Sequence, residues 1–162
     1  RIGLLSDTHS TINQRVADFF SGVDEIWHAG DIGNLATAEG FASLKTFRAV
    51  HGNIDGAELR QLYPKNLIFN SEAVKVVITH IGGYPGHYEK ETRELISREK
   101  PGLFISGHSH ILKIMYDPKY QVLHINPGAA GNSGFHHVIT CVRFVIDGKD
   151  IRDMEIFEKQ RS

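Results

Sequence analysis

The sequence predicts an α/β fold in which two packed sheets carry helices on their outer sides. Strand-like apolar runs alternate with helix-like runs in the first half of the chain, which is typical of β-α-β units with parallel strands. Strand-like runs dominate the second half, where Asp147-Gly148 is a hairpin signal. The chain has 162 residues, 41% of them hydrophobic, and no linker-like or repetitive stretch divides it. We therefore expect one domain spanning residues 1–162.

The first half is predicted to contain three strands and two helices. In chain order the predicted elements are strand Ile2–Ser6, helix Asn13–Phe20, strand Glu25–His28, helix Leu35–Lys45 and strand Phe47–His51. The helices have apolar residues at helical spacing, and each strand ends at a polar or glycine-containing loop. Because ligands in open α/β sheets bind just beyond the carboxyl ends of such strands, these loops are candidates for a functional site.

The second half is predicted to contain six strands and one helix. The order is strand Ala73–Thr79, helix Glu89–Glu99 and then strands Leu103–Ser106, Ile111–Tyr116, Gln121–Ile125, Val138–Ile146 and Ile151–Phe157. The helix is charged, and Pro101-Gly102 ends it. The segment Pro127–Gly131 is predicted to form a tight, flexible loop.

Composition excludes several classes of protein. The formal net charge of −1, from 18 basic and 19 acidic side chains, argues against a broad basic surface for nucleic acid. A single cysteine excludes an internal disulfide framework and a cysteine-rich zinc module. The sequence has no apolar run of roughly 18 residues and begins without a signal-peptide pattern, so we expect a cytoplasmic protein without a membrane segment. Ten histidines are the unusual feature, because imidazole binds transition metals and transfers protons near neutral pH.

Potential metal ligands follow the predicted strands. They are Asp7, His9, Asp31, Asn53, His80, His108 and His110. All are oxygen or nitrogen donors, and the ends of parallel strands would bring them together. Four coordination positions satisfy one zinc ion, so this set is too large for a single ion. It suits two ions bridged by one carboxylate, as in hydrolases that hold two metals about 3.5–4 Å apart for phosphoryl transfer.

Four local patterns carry six of these seven donors, all but His80. They are Asp7-x-His9, His108-Ser109-His110, Gly30-Asp31 and Gly52-Asn53. In the first two patterns the donors lie two residues apart, so both can face one side of an extended loop. In the last two, a glycine before the donor lets the backbone approach a bound group closely. Each pattern alone is common in turns, and only their combination indicates a metal site.

The order and spacing of these motifs resemble the calcineurin-like metallophosphoesterases, in particular the small single-domain bacterial and archaeal phosphodiesterase branch. The motifs are Asp7-Thr8-His9, Gly30-Asp31, Gly52-Asn53-Ile54-Asp55, Thr79-His80 and Gly107-His108-Ser109-His110. They cover nearly the whole chain. The resemblance implies a four-layer α-β-β-α sandwich of two mixed sheets with helices on both outer faces.

The resemblance also implies two metal-ligand sets. One metal would be held by Asp7, His9, Asp31 and His110, and the other by Asp31, Asn53, His80 and His108, with Asp31 bridging. The implied mechanism is in-line attack by a metal-bridging hydroxide, with the metals and the Asn53 amide stabilising charge on the phosphoryl oxygens. Manganese is the expected ion, and zinc, nickel, iron and cobalt are also compatible with this donor set.

The sequence departs from the larger phosphatases of the superfamily after the Gly-Asn pair. In those enzymes a histidine directly follows the pair and is similar to a general acid in its role. This chain has Ile54 at that position, and its side chain cannot transfer a proton. Asp55 is expected to orient a ligand such as His9 rather than to act directly. His51 is expected to make a strand-end hydrogen bond. The stretch that contains His136 is considered only as a contact at the rim of the site.

The function predicted from these residues is metal-dependent hydrolysis of a phosphoric ester. The substrate that we expect first is a small-molecule phosphodiester. Phosphomonoesterase and nuclease activity are alternatives, although no basic or aromatic track indicates nucleic acid. A non-catalytic protein-binding scaffold of the same fold, similar to a retromer subunit with a degraded metal site, is the alternative from another class. The retention of all seven donors favours the enzyme. Exposed apolar residues on edge strands would be compatible with a homodimer.

Overall fold

The computed structural model describes residues 1–161, which form ten strands and four helices. The elements are β1 (Ile2–Leu5), α1 (Gln14–Phe19), β2 (Glu25–His28), α2 (Leu35–Leu44), β3 (Thr46–Ala49), α3 (Ala57–Leu62), β4 (Asn66–Ser71), β5 (Val74–Thr79), α4 (Lys90–Glu99), β6 (Leu103–Ile105), β7 (Leu112–Asp117), β8 (Val122–Pro127), β9 (Val138–Asp147) and β10 (Asp150–Gln160). The elements predicted from the sequence are all present, with ends that differ by a few residues.

The strands form two mixed sheets of five. The first has the order β10-β9-β1-β2-β3, and the second has the order β4-β5-β6-β8-β7. In the first sheet β1, β2 and β3 are parallel, and in the second β5, β6 and β8 are parallel. The remaining pairs are antiparallel. Both sheets therefore have a parallel centre, and the carboxyl ends of these parallel strands provide the loops of the site.

The two sheets pack face to face over a shared apolar core. Leu4 and Trp27 from the first sheet belong to the same buried cluster as Val76 and Ile105 from the second. The Trp27 ring meets Phe69 of β4 edge-on, with ring centroids 5.0 Å apart. Such a contact adds about 0.5–1.5 kcal/mol beyond the area that it buries. Burial of apolar surface between the sheets thus holds the two halves of the chain together.

Helices cover the outer face of each sheet. Val16 of α1 and Phe41 of α2 pack with Ile26 on the outside of the first sheet, and Leu95 and Ile96 of α4 pack on the outside of the second. The central strands β1 and β6 are buried along their whole length, as expected for strands covered on both faces. The architecture is the expected four-layer α-β-β-α sandwich.

Two short elements were not predicted. Helix α3 has six residues, and only Leu59 is buried. A single buried position gives no repeating apolar pattern from which a helix could be predicted. Strand β4 alternates between exposed and half-buried positions at a sheet edge. Its Leu67-Ile68-Phe69 run was a detectable strand signal, but the run is short and polar residues flank it. The predicted hairpin at Asp147-Gly148 is confirmed, because β9 and β10 pair there in antiparallel register.

No helix within residues 1–161 is long and apolar enough to span a membrane.

Candidate metal centre

The candidate ligands converge where the carboxyl ends of both sheets meet. Asp7 follows β1 and Asp31 follows β2 in the first sheet, whereas His80 follows β5 and His108 follows β6 in the second. The donors thus lie together at the ends of parallel strands, as expected. These strands belong to two sheets and not to one. The site exists only because the sandwich brings the two edges side by side.

The ligand loops adopt an unusual backbone conformation. Five of the candidate ligands have a positive φ: Asp7 (54°), His9 (47°), Asp31 (56°), His108 (71°) and His110 (63°). This conformation costs roughly 1–2 kcal/mol for a residue with a side chain, so it persists only where other contacts enforce it. Backbone hydrogen bonds provide part of that enforcement, because Asp7 N donates to Gly30 O at 2.9 Å and His9 N donates to Asp31 O at 3.0 Å. The loops after β1 and β2 are therefore fastened to each other.

Asp7 presents one carboxylate oxygen to the centre and uses the other for support. Its Oδ2 accepts hydrogen bonds from Ser6 Oγ at 2.6 Å and from the His108 amide at 3.0 Å. Its Oδ1 is buried without a hydrogen-bond partner and lies 3.2 Å from His110 Nε2. Burial disfavours the charged carboxylate, but the imidazoles of His110 and His9 outweigh burial and keep the pKa of Asp7 well below its ordinary value. Asp7 is therefore an anionic candidate ligand whose free oxygen already faces the centre.

Asp31 lies between the two groups of donors. Its Oδ1 accepts a hydrogen bond from the Ile54 amide at 3.1 Å. Its Oδ2 is 3.2 Å from His80 Nε2 and 3.5 Å from His9 Nε2. Burial again opposes ionisation, and His80 overcomes this effect and lowers the pKa of Asp31. A single oxygen between imidazoles of two groups is the arrangement expected of a bridging carboxylate.

The hydrogen bond on one side of the His80 ring determines its tautomer. Its Nδ1 is 2.7 Å from Ala29 O, and a carbonyl oxygen only accepts, so Nδ1 carries the proton. The neutral ring therefore turns the lone pair of Nε2 toward Asp31. Although burial lowers the pKa of His80, Asp31 and Asp7 raise it by more, because the two carboxylates favour a positive charge at this position. A bound cation would satisfy the same demand.

A similar hydrogen-bond chain orients His110, and it contains His136, which the sequence suggested only as a contact at the rim of the site. His136 Nε2 is 2.7 Å from Gly131 O, and its Nδ1 is 3.0 Å from His110 Nδ1. Since the carbonyl accepts from His136 Nε2, His136 Nδ1 is the acceptor for His110 Nδ1–H. His110 Nε2 then carries a lone pair directed at Asp7. His136 is thus a partner of a candidate ligand, not the rim contact that the sequence suggested.

The structure brings all seven predicted ligands together. Two groups of His and Asp side chains could each hold an ion: Asp7, His9 and His110, and Asp31, His80 and His108. Asn53 joins the second group, because its Oδ1 lies 3.1 Å from His108 Nδ1. Asp31 contacts the first group through His9. The grouping follows the two sets that the resemblance implied, and metal binding by these residues stays a prediction.

Unpaired polar atoms show that the site fits metal ions. Asp7 Oδ1, His9 Nε2 and His80 Nε2 are buried without any hydrogen-bond partner within residues 1–161. Such atoms each cost about 1–3 kcal/mol unless something pairs with them. Two donors bound about 2.1 Å from one ion would be separated by roughly 3.0–3.4 Å, depending on the bond angle. The separations of 3.1 and 3.2 Å between facing donors fall within that range.

Asp55 and His51 lie beside the candidate ligands and make hydrogen bonds to the backbone. Asp55 accepts hydrogen bonds from the backbone amides of Ile32, Gly33 and Gly52 at 2.8–3.1 Å. It therefore joins the loops after β2 and β3. Asp55 is the expected hydrogen-bond acceptor behind the candidate ligands, but its partners are amides beside Asp31 and Asn53 and not His9. His51 Nδ1 lies 2.8 Å from Tyr63 O, which is the expected strand-end hydrogen bond.

Comparison with known proteins identifies the family. The calcineurin-like phosphoesterase superfamily domain matches residues 1–149 of the chain. The chain belongs to this superfamily. A probable metallophosphoesterase from Methanothermobacter thermautotrophicus is 32% identical over an alignment of 117 positions that covers 67% of this chain and 66% of the relative. Another from Methanocaldococcus jannaschii is 31% identical over an alignment of 134 positions that covers 79% of this chain and 67% of the relative. The chain thus spans about two thirds of the length of both relatives.

Solved structures share the sandwich of this calcineurin-like domain. An archaeal phosphodiesterase has a TM-score of 0.75 at 23% identity, with 96% of this chain and 99% of the other covered. Vacuolar protein sorting 29 from Chaetomium thermophilum has a TM-score of 0.76 at 12% identity, covering 99% and 98% of the two chains. The protein of that name from Entamoeba histolytica, complexed with zinc, has a TM-score of 0.76 at 15% identity and covers 99% of both chains. At these identities the similarity establishes the fold.

Proposed function

We propose that this calcineurin-like domain, spanning residues 1–162, hydrolyses a small-molecule phosphoric ester and prefers a phosphodiester. The observation that carries the proposal is the cluster of buried unpaired ligand atoms, Asp7 Oδ1, His9 Nε2 and His80 Nε2, around the Asp31 carboxylate. A purely structural site would have paired these atoms, because a buried polar group without a partner destabilises the fold. One structural neighbour with the same sandwich is an archaeal phosphodiesterase, which agrees with the proposal.

The proposed centre takes two divalent ions, manganese being our first choice. Asp7, His9 and His110 would hold one ion, Asp31 would bridge, and Asn53, His80 and His108 would hold the other. When bound, the ions would lower the pKa of a water nucleophile and offset charge on the phosphoryl oxygens. Two ions bring four positive charges against two aspartates, so the pocket attracts an anion although the chain carries a net charge of −1.

The chain's own residues orient and stabilise the substrate. The Asn53 side chain is exposed, and only its Oδ1 faces His108, so the amide N–H groups are available to a phosphoryl oxygen. The Ile54 side chain beside it is 47% exposed and offers no proton to the leaving group. The enzyme should therefore act best on esters whose alcohol leaves readily as its anion. This preference concerns the leaving alcohol, and it favours activated esters over alkyl esters.

The test compares metal-free and manganese-loaded protein on bis(p-nitrophenyl) phosphate and p-nitrophenyl phosphate. We expect hydrolysis only with metal, faster on the diester, and loss of about two orders of magnitude or more in Asp31→Asn and His80→Ala. Asp150→Asn and His137→Ala make the same chemical changes at exposed positions and should retain wild-type rates. Circular dichroism of each variant separates loss of the centre from loss of the fold.

Three outcomes would contradict the proposal. Turnover by a metal-free preparation, or wild-type turnover by Asp31→Asn, would remove the bridging carboxylate from the mechanism. Binding of two manganese ions per chain without hydrolysis of either ester would favour the protein-binding scaffold of the same fold.

A further inference from the structure

A cavity of about 320 Å³ lies beside the candidate metal centre. It opens between the loop after β5 and the start of β7, and the lining side chains include Ile81, Tyr84, His108, Ile111, Lys113 and His124. His108 lines the cavity and also belongs to the second ligand group. Ile81 directly follows His80 in the chain. A group held in this cavity would therefore be adjacent to the centre.

Three large apolar side chains around the cavity are exposed. Ile81 is 42% exposed, Tyr84 is 42% exposed and Ile111 is 64% exposed. None of them belongs to the apolar clusters that hold residues 1–161 together. They come from two separate segments and meet at one place. Apolar side chains grouped in this way on a surface mark a binding site more often than they stabilise a fold.

The polar groups around the cavity favour a ring as the occupant. The Lys113 ammonium lies over the Tyr84 ring, 4.6 Å from its centre, and the His87 ring packs against the same tyrosine with ring centroids 4.8 Å apart. His124 in the cavity wall is buried, and both its ring nitrogens are without hydrogen-bond partners within residues 1–161. A planar group that meets the edge of the Tyr84 ring and carries a polar edge of its own suits these surroundings better than a plain alkyl chain.

The size of the cavity limits the occupant. At about 320 Å³ it lies at the lower end of the range for ligand sites, which is about 300–1,000 Å³. One ring system fits, whereas a long chain or a nucleic-acid strand does not. We propose that this cavity receives one ester group of the substrate and that the group is a single aromatic or heteroaromatic ring. The proposal rests on the phosphoesterase function argued above.

The first experiment compares two methyl diesters whose leaving alcohols have similar acidity. Methyl phenyl phosphate has an aromatic leaving group, and methyl hexafluoroisopropyl phosphate has a fluorinated alkyl one. For the manganese-loaded protein we expect kcat/KM to be about tenfold higher on the phenyl ester, the size of effect that contact between two aromatic rings provides. Tyr84→Leu should reduce this preference to about twofold or less, and Tyr84→Phe should retain it.

A matched control uses another exposed tyrosine. Tyr116 is 57% exposed on β7 and does not line the cavity, so Tyr116→Leu should keep the wild-type preference. Equal hydrolysis of the two esters by wild type would overturn the cavity proposal and leave the phosphoesterase function standing. The same conclusion would follow if Tyr84→Leu kept the full preference.

A binding experiment tests the cavity without turnover. Phenylphosphonate and tert-butylphosphonate have similar bulk, carry the same charged group and have a carbon–phosphorus bond that the site would not cleave. We expect phenylphosphonate to bind the manganese-loaded protein about tenfold more tightly, and Tyr84→Leu to remove the difference. Equal affinities in wild type would overturn the proposal. If no ester is hydrolysed at all, the phosphoesterase function fails, and this comparison still decides whether the cavity selects a ring.

Discussion

At the scale of single residues, hydrogen bonds behind the ligands determine which ring nitrogen faces the centre. His80 donates to Ala29 O, and His110 donates to His136, which itself donates to Gly131 O. Each partner fixes one tautomer and leaves Nε2 free for a metal. Partners of this kind are worth about 10–100-fold in metal affinity in proteins whose ligands they orient.

His136→Ala should therefore lower manganese affinity by about 10–100-fold and leave the fold intact. The reason is that His110 loses the acceptor that holds its proton on Nδ1. Competition with a metal chelator measures the affinity, and thermal unfolding of the metal-free protein checks the fold. His137→Ala, at the exposed neighbouring position, is the control. Unchanged affinity in His136→Ala would show that the 3.0 Å contact does not orient the ligand.

Ile54 gives a second prediction at this scale. The Ile54 amide donates a hydrogen bond to Asp31 Oδ1 at 3.1 Å. Its side chain is 47% exposed and has no acidic group that could protonate the leaving alcohol. Ile54→His keeps the amide and adds an imidazole, so we expect faster hydrolysis of alkyl esters, by up to about 10²-fold, and little change on p-nitrophenyl esters. The slope of log rate against leaving-group pKa measures this effect. An unchanged slope, with manganese still bound, would mean that the added imidazole does not protonate the leaving alcohol.

At the scale of elements, the loops after the strands are packed so tightly that glycine is required between them. A Cβ on Gly52 would collide with the backbone and carboxylate of Asp31, and one on Gly30 would meet the His80 ring at 2.6 Å. The sequence suggested that these glycines let the backbone approach a bound group. In the structure glycine is required for a different reason, because the candidate ligands Asp31 and His80 lie where a Cβ on Gly52 or Gly30 would be.

Gly52→Ala should consequently displace Asp31 and weaken manganese binding by at least about tenfold. The added methyl group has no flexible neighbour that can move aside, since it meets backbone as well as a side chain. Gly56→Ala is a matched control at the end of the same loop, where nothing lies within 4 Å of the added Cβ. Isothermal titration with manganese measures both variants. Wild-type affinity in Gly52→Ala would show that the loop can relax without moving the carboxylate.

At the scale of the whole molecule, the fold contains an imidazole that must stay neutral. His28 is fully buried, with Nε2 2.9 Å from Thr8 Oγ1 and Nδ1 accepting from the Gly30 amide at 3.1 Å. Burial lowers the pKa of His28 to about 4. In the unfolded chain this pKa returns to about 6.5, so the unfolded state takes up a proton first as the pH falls. The stability contributed by neutral His28 is therefore complete above pH 6.5 and is lost toward pH 4.

Between pH 7 and pH 5 this effect should remove about 2 kcal/mol of the free energy of unfolding. Urea unfolding of the metal-free protein at both values measures the loss. His28→Gln replaces the titrating ring with an uncharged amide, so its stability should fall less over this range than that of wild type. His137→Gln, at an exposed position, should follow wild type. An equal loss in His28→Gln would assign the pH dependence to other groups.

The sequence alone determined much of the fold and the identity of the candidate ligands. The alternation of strand and helix patterns predicted β1 to β3 with α1 and α2, because these elements bury apolar residues with a clear period. Asp7, His9, Asp31, Asn53, His80, His108 and His110 were found because donor residues repeatedly follow apolar strands. Elements with little buried surface, such as α3 and β4, gave too weak a pattern to be recognised.

Only the tertiary structure decided how these residues act together. His136 lies 26 positions from His110 in the chain, and no local pattern reveals that their rings meet. The site needs the edges of both sheets, and the pairing of the sheets depends on burial of side chains such as Trp27 and Phe69 that are far apart in sequence. The cavity beside His108 likewise exists only between two loops. Local sequence specifies which donors are available, whereas long-range packing specifies their distances, tautomers and neighbours.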